Sequence, residues 1–246
     1  MKELKIIAIP DLPIFKKGDN VAQIILGASK NNGILIDRND IVVIAQKIIS
    51  KAEGALVNLE DITPSDEAKK LSEKTGRSPE ICQVYIDQSI KILGTKGRMV
   101  ITEHKIGFIC TGAGVDSSNL ANKDENIVSL LPKDPDRSAR EIRDNIFQET
   151  GNRVAVIIND SFGKSDREGS YGIAIGIAGI SALETQKKHD LFGNESNNKI
   201  ALVDELAAAA SILMGQSDEK QPVILIKGAD FTVDEEADIR NILIPQ

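Results

Sequence analysis

The hydrophobic residues of this chain fall into short unbroken runs that predict buried strands. The runs are rich in Ile, Leu and Val, as is typical of strands covered on both faces. Helical spacing is clearest at 202–215, where apolar residues recur every three or four positions. The polar segment 187–190 is expected to be a charged loop. The pattern predicts a mixed fold whose strands include 5–9, 41–49, 154–158 and 223–227.

Cap residues and glycines predict where other helices begin and end. Thr63 and Pro64 form a helix start, and that helix is expected to end near Gly76. Ser138 is predicted to cap a later helix that Gly151 stops.

The segment 154–180 carries the most suggestive change of polarity. The apolar run 154–158 is followed at once by Asn159, Asp160 and Ser161. An acid and a hydroxyl at the end of a buried strand occupy the place where α/β proteins commonly bind ligands. A charged loop and a Gly-rich apolar return follow. This order suggests a site for a phosphorylated or metal-bound ligand, and the alternative is a solvated loop between two packed elements.

The composition excludes several classes of protein. The chain has 246 residues and shows no repeat or low-complexity linker, so we expect one catalytic domain spanning 1–246. A net charge of −7, aromatic residues at only 3% and the absence of Trp argue against nucleic-acid binding. Two cysteines and two histidines are too few and too scattered for a disulfide framework or a zinc site, and indicate the cytoplasm. Apolar runs of membrane-spanning length are absent from the sequence, so no membrane partner is expected.

Two polar segments elsewhere are candidates for the same chemistry. Gln46, Lys47 and Lys51 lie within or just past a predicted strand, where a lysine can hold a phosphate, although a surface lysine is the ordinary alternative. The Gly-rich turn that begins at Gly112 contains Asp116 and Asn119, which could bind a metal and a nucleotide, or could form an ordinary turn.

Familiar nucleotide and hydrolase motifs are missing. Gly163, Lys164 and Ser165 would need a glycine at the position of Ile158 to form a phosphate-binding P-loop. The dinucleotide fingerprint G-x-G-x-x-G after a strand and the G-x-S-x-G elbow are both absent. Oxygen ligands remain, in Gly-rich or strand-end settings, and such ligands select Mg²⁺ or Mn²⁺ over zinc. The candidates are Asp116, Asp160, Ser161 and Gln216.

At these residues the chain resembles the coenzyme F420:L-glutamate ligase family, the γ-glutamyl ligases that complete the deazaflavin coenzyme. The matching segments follow the family order and cover essentially the whole chain. They are 12–14, 50–54, 112–119, 131–132, 134–136, 160–163, 174–179, 204–208 and 214–216.

The resemblance implies an α+β fold of mixed sheets flanked by helices, assembled as an intertwined homodimer. It implies a GTP-dependent ligase that adds L-glutamate to the precursor F420-0 by amide formation through an acyl phosphate, and then adds a γ-linked glutamate. The implied cofactors are Mn²⁺ or Mg²⁺, two ions by the family pattern, and K⁺. Asp160 and Lys51 would be catalytic, and the metal ligands would be Asp116, Asp160, Ser161 and Gln216. The GTP site would comprise Leu12, Pro13, Ile14, Phe15, Gln46, Lys47, Lys51, Asn119, Met214, Gly215, Gln216, Ser217 and Gln221.

The chain departs from the family at one loop. Many members carry an Arg-Pro-Trp-Arg-like run where this chain has Lys164, Ser165, Asp166 and Arg167. Ser161 replaces the more usual Thr and keeps the hydroxyl. Two alternatives therefore stay open: a ligase of the same fold acting on a different carboxylate, and a nucleotide- and metal-binding module without activity.

Overall fold

The computed structural model describes residues 3–117, 126–163, 168–189 and 191–244, except for the side chains at 187 and 188. Within this part the chain forms six α-helices and twelve strands in four sheets. The helices are α1 Val21–Asn31, α2 Gln46–Glu53, α3 Asp66–Thr75, α4 Pro79–Gln88, α5 Pro135–Thr150 and α6 Leu202–Met214. The strands are β1 Lys5–Ala8, β2 Ile41–Ala45, β3 Leu56–Asn58, β4 Ser89–Lys96, β5 Met99–His104, β6 Ile109–Thr111, β7 Ile127–Ser129, β8 Ala155–Gly163, β9 Ser170–Ala178, β10 Glu184–His189, β11 Glu195–Ile200 and β12 Val223–Lys227.

A mixed five-stranded sheet lies at the centre, in the order β1-β12-β2-β8-β9. The neighbouring strands β2 and β8 are parallel, and every other neighbouring pair in this sheet is antiparallel. Alternate residues of the buried strands point to opposite faces. Val42 and Val156 join the core with α1 and α5, whereas Val43 and Ile157 join the core with α6. Both faces are therefore covered, which explains the unbroken apolar runs.

Smaller sheets surround the central one. The sheet β4-β5-β6 packs with α3 and α4 around a core of its own, which contains Leu71, Tyr85 and Val100. The pairs β3-β7 and β10-β11 complete the described sheets. The mixed sheets with flanking helices agree with the expected architecture. Within the described residues, every helix is too short or too polar to cross a membrane.

The predicted strand 41–49 is wrong in its second half. The strand ends at Ala45, and α2 begins at Gln46. Ala45 donates its N–H to the carbonyl of Pro222 at 2.9 Å, and Pro222 has no N–H with which to continue the ladder. The following apolar residues then pack at helical spacing, and Gly54 ends α2 in the left-handed conformation.

Two predicted caps are wrong, although both predicted stops are confirmed. Ser65, rather than Thr63, caps α3 by accepting the N–H of Ala68. Asp134, rather than Ser138, caps α5, because its carboxylate reaches the N–H of Arg137 at 3.0 Å. As predicted, α3 ends before Gly76 and α5 ends before Gly151, and the structure shows both glycines in the left-handed conformation.

The strand predicted at 154–158 is longer than expected. It continues as β8 through Asp160 and Ser161, which pair with Ile173 and Gly172 of β9. A register shift at Asn159 interrupts this pairing, and such bulges re-aim neighbouring side chains. The Gly-rich return is therefore strand β9. The loop predicted at 187–190 is also wrong, because β10 continues to His189; Asp190 lies outside the described residues.

We expect His104 to make a destabilising contribution to the fold in mild acid. This side chain is 4% exposed, and its Nδ1 accepts the N–H of Ile106. Burial, with a smaller contribution from Lys105, lowers the pKa of His104 from 6.5 to about 4. Between these two pKa values the unfolded chain binds more protons than the folded one, so this contribution to stability decreases as the pH is lowered. Going from pH 7 to pH 5 should remove about 2 kcal/mol of unfolding free energy through this residue, measured by urea denaturation.

The matched control for this prediction is the other histidine. His104→Gln should lose this contribution, so its change in stability from pH 7 to pH 5 should differ from that of wild type by about 2 kcal/mol. His189→Gln, at an exposed position, should match wild type. Equal slopes in the two variants would contradict the assignment.

Candidate active site

A cavity of 1120 Å³ opens at the carboxyl ends of the parallel strands β2 and β8. Parallel pairing brings these two ends to one edge of the sheet, with Ala45 opposite Asn159. Segments distant in sequence supply the walls: the stretch after β1, the start of α2, the turn after β6, the end of β8 and the loop after α6. The lining residues are Leu12, Pro13, Ile14, Phe15, Ala45, Gln46, Lys47, Ile48, Lys51, Thr111, Gly114, Val115, Asp116, Asn159, Asp160, Ser161, Phe162, Ser211, Met214, Gly215, Gln216, Ser217, Asp218, Lys220, Gln221 and Pro222.

The site residues predicted from sequence lie together in this cavity. All of those described contribute to its wall, including the four metal-ligand candidates and both candidate lysines. Asn119 lies outside the described residues, as does the divergent loop of Lys164, Ser165, Asp166 and Arg167. The structure thus assigns a common location to these residues, and their roles stay predictions.

Asp160 and Asp116 form the acidic end of the cavity. Asp160 is partly exposed to the cavity, and its Oδ1 accepts the N–H of Ser161 at 2.8 Å. Burial, together with the nearby charge of Asp116, raises the pKa of Asp160 to about 7. The carboxylate of Asp116 pairs with Lys47, at 2.7 Å between Nζ and Oδ2. The charge of one acid is thus balanced, while the other stays costly to ionise.

Gln216 connects the loop after α6 to the β8-β9 hairpin. Its Nε2 donates to Ser161 Oγ at 3.0 Å, and its Oε1 lies 3.5 Å from Ser170 Oγ. The amide and the hydroxyl therefore meet beside Asp160. Rotation of the amide would present Oε1 in place of Nε2, so both side chains can offer oxygen to a cation.

These donors fit a hard divalent cation. They are two carboxylates, one hydroxyl and one amide, and oxygen sets of this kind suit Mg²⁺ or Mn²⁺. Burial and the charge of Asp116 raise the pKa of Asp160, and a cation beside the carboxylate would lower the cost of its negative charge. Across the described ranges, no three His, Cys, Asp or Glu side chains converge as a metal cluster, so the candidate set relies on the hydroxyl and the amide beside the two acids.

Two lysines make the adjoining wall basic. Lys47 and Lys51 are one turn apart on α2, and both line the cavity. Burial, followed by the charge of Lys47, lowers the pKa of Lys51. The first turn of α2 also begins at the cavity, where its backbone N–H groups add partial positive charge. This wall is suited to the phosphates of a nucleotide.

Asn159 is a residue of the site that the sequence analysis did not select. It is 3% exposed, and its Nδ2 donates to Ser211 Oγ at 3.0 Å and to Met214 Sδ at 3.2 Å. Gly172 permits this arrangement, because a Cβ at that position would collide with Ser211 and Asn159. The sequence signal was the run of three polar residues after a buried strand, from which only the acid and the hydroxyl were selected.

Backbone conformations around the cavity are unusual. Within the described ranges, only four non-glycine residues have positive φ, and three of them lie in the cavity wall or beside it. These are Asp11 at 57°, Ala113 at 50° and Lys220 at 56°. Such conformations cost free energy and persist where the surroundings fix them, often at binding sites.

Comparison with known proteins gives consistent matches along this chain. The profile of the family described as F420-0:gamma-glutamyl ligase matches residues 10–228. The coenzyme F420:L-glutamate ligase of Methanothermobacter thermautotrophicus is 39% identical over 92% of this chain and 89% of that protein. The enzyme of the same name from Methanocaldococcus jannaschii is 43% identical over 89% and 86%. That from Methanopyrus kandleri is 39% identical over 93% and 89%.

We expect Asp160→Asn to weaken Mn²⁺ binding while the protein stays folded. The substitution keeps the volume and removes the charge that a cation would balance. The dissociation constant for Mn²⁺ should rise at least about tenfold, equivalent to about 1.4 kcal/mol, measured by isothermal titration calorimetry. Asp61→Asn, at an exposed position away from the cavity, is the control and should bind Mn²⁺ normally. Unchanged Mn²⁺ affinity in Asp160→Asn would remove Asp160 from the set of ligands.

Proposed function

This chain belongs to the F420-0:gamma-glutamyl ligase family, and we propose that it joins L-glutamate to F420-0 in a reaction dependent on GTP and a divalent cation. The bond formed is an amide, and a further glutamate is then added through a γ-carboxyl group. The names of the relatives support the ligase activity and its glutamate and F420 substrates. The dependence on GTP and metal is proposed from the resemblance to the family, and the basic and acidic walls of the cavity support it.

The observation that carries the proposal is the convergence of basic and acidic groups in one large cavity. Lys47 and Lys51 lie on one wall, while Asp116 and Asp160 lie at the acidic end. A volume of 1120 Å³ exceeds the ~300–1,000 Å³ of ordinary small-molecule pockets, which leaves room for a nucleotide beside a second substrate. Nucleotide-dependent amide formation from a carboxylate requires positive charge for the phosphates and ligands for a divalent cation in the same cavity.

The proposed chemistry begins with activation of the F420-0 carboxylate. A carboxylate is a poor electrophile, so one of its oxygens attacks the γ-phosphorus of GTP. An O–P bond forms, the bond to the β-phosphate oxygen breaks, and GDP leaves with the electron pair. The product is an acyl phosphate. The amine of L-glutamate then attacks the carbonyl carbon, a C–N bond forms, phosphate leaves with the C–O electron pair, and the amine proton passes to solvent.

The protein's contribution is to position the reactants and offset their negative charge. Lys47 and Lys51 would face the phosphates, and Lys47 would exchange its pairing with Asp116 for a phosphate oxygen. Asp116, Asp160, Ser161 and Gln216 would hold the divalent cation, which when bound balances phosphate charge during transfer. The enclosed walls hold the two substrates in reacting order.

The direct test is mass spectrometry of a reaction that contains purified protein, F420-0, GTP, Mn²⁺ and L-glutamate. We expect the F420-0 mass to increase by one or more glutamyl units only when GTP is present. GTP binding without any mass increase would overturn the proposed substrate. It would favour a ligase for another carboxylate or a binding module without activity.

We expect Lys51→Met to weaken GTP binding more than Mn²⁺ binding. The substitution keeps most of the aliphatic stem and removes a charge from the wall proposed for phosphates. A charged hydrogen bond contributes about 1.5–3 kcal/mol, so the dissociation constant for GTP should rise roughly 10- to 100-fold. Isothermal titration calorimetry with GTP and with Mn²⁺ separates the two effects. Lys133→Met, at an exposed position, is the control. Normal GTP affinity in Lys51→Met would exclude a phosphate role for Lys51.

A further inference from the structure

A second, smaller cavity adjoins the first across the turn that follows β6. Its volume is 220 Å³, below the ~300–1,000 Å³ typical of pockets for larger ligands. Thr111, Val115 and Asp116 line both cavities, so a molecule in the small cavity lies next to the acidic end of the large one. The full lining is Arg77, Ile81, Tyr85, Met99, Val100, Thr111, Gly112, Val115, Asp116, Ser117 and Val128.

Arg77 makes this cavity a candidate anion site. The guanidinium lies 6.0 Å from the centre of the Tyr85 ring, and its Nε donates to the carbonyl of Arg98 at 3.1 Å. The hydrogen bond from Nε and the contact of the guanidinium plane with the Tyr85 ring hold the Arg77 side chain in place. Among the described residues Arg77 forms no ion pair, so its two terminal nitrogens can receive a carboxylate in the bidentate manner that arginine favours.

Tyr85 provides a second, independent observation. The residue is 4% exposed and lines the cavity, and its hydroxyl lies beside Gly112 of the same wall. Buried tyrosine hydroxyls usually have a partner. Burial raises the pKa of Tyr85, so the group stays a neutral donor. Gly112 keeps this wall open, because a Cβ there would lie 3.1 Å from the Tyr85 ring.

We propose that this cavity receives the incoming L-glutamate, with Arg77 binding one of its carboxylates and Tyr85 donating a hydrogen bond to it. The inference rests on the proposed function. Glutamate reacts through its amine and keeps both carboxylates as anions throughout, so it needs a cation that the phosphates do not occupy. The cavity suits a small amino acid and is too small for a nucleotide or a deazaflavin. Asp116 on the shared wall pairs with Lys47 in the structure, and in the proposed complex the divalent cation would balance its charge.

The test compares Arg77→Gln with Arg98→Gln as a matched control. Arg98 is exposed, does not line the cavity, and contributes only its carbonyl to Arg77. Steady-state kinetics by product mass should show the KM for L-glutamate raised at least tenfold in Arg77→Gln. The KM values for GTP and F420-0 should stay within twofold of wild type. Tyr85→Phe, which keeps the packing, should raise the KM for glutamate several-fold.

Several outcomes would overturn the inference. One is an unchanged KM for glutamate in Arg77→Gln, and another is a rise in the KM for F420-0 instead. Thermal unfolding of each variant identifies a loss of folding, in which case Tyr85→Phe decides. Equilibrium dialysis with radiolabelled L-glutamate keeps the two proposals distinct. If the wild type binds glutamate through Arg77 but does not extend F420-0, the proposed function fails and the subsite stands. If the wild type ligates glutamate and Arg77→Gln binds it equally well, the subsite fails alone.

Discussion

The parallel pairing of β2 with β8 is the constraint on which the site depends. Every other neighbouring pair in the central sheet is antiparallel, so β2 and β8 are the one adjacent pair whose carboxyl ends lie side by side at the same edge. The register sets Ala45 opposite Asn159, and the next residues are Gln46 and Asp160. Because both strands are covered on both faces, a slip of one residue would move each apolar row to the opposite face and disrupt its packing against the helices there. The packing that fixes the register therefore also fixes the distance between the basic helix and the acidic strand.

Charge balance in the cavity follows from this placement. The ion pair of Lys47 and Asp116 joins α2 to the turn after β6, and Lys47 also lowers the pKa of Asp160, though less than burial raises it. Burying a charge without full compensation costs stability, and burial and Asp116 raise the pKa of Asp160 accordingly. Together with the unpartnered Oδ1 of Asn159, these groups form a region that is poorly satisfied in isolation. Such an arrangement is stabilised when ligands supply the missing partners.

How far the sequence predicts this structure depends on how strongly each segment is buried. The run 223–227 forms β12 with the predicted bounds, because its unbroken apolar residues are buried on both faces of the sheet. The end of β2 was missed because Ile48 and Ile49 continue the apolar run, and the change to helix is set by Pro222, which immediately precedes the neighbouring strand β12. The hairpin of β10 and β11 was missed because it is polar, so no periodicity marks it. Local pattern thus predicted the core and failed where a distant residue or an exposed backbone decided.

The candidate site shows the same division. The sequence alone indicated the candidate residue types, because an acid and a hydroxyl directly after a buried strand are typical of a ligand-binding site. The residues that contact them in the folded protein could not be predicted from the sequence. The contact of Gln216 with Ser161 joins positions 55 residues apart, and that of Asn159 with Ser211 joins positions 52 apart. Both require α6 to pack closely on β9, which the missing side chain of Gly172 allows. Spacing along the chain can nominate ligands, whereas only the packing of a helix against a strand brings them together. For this reason a glycine that carries no chemistry contributes to the geometry of the site as much as the acids do.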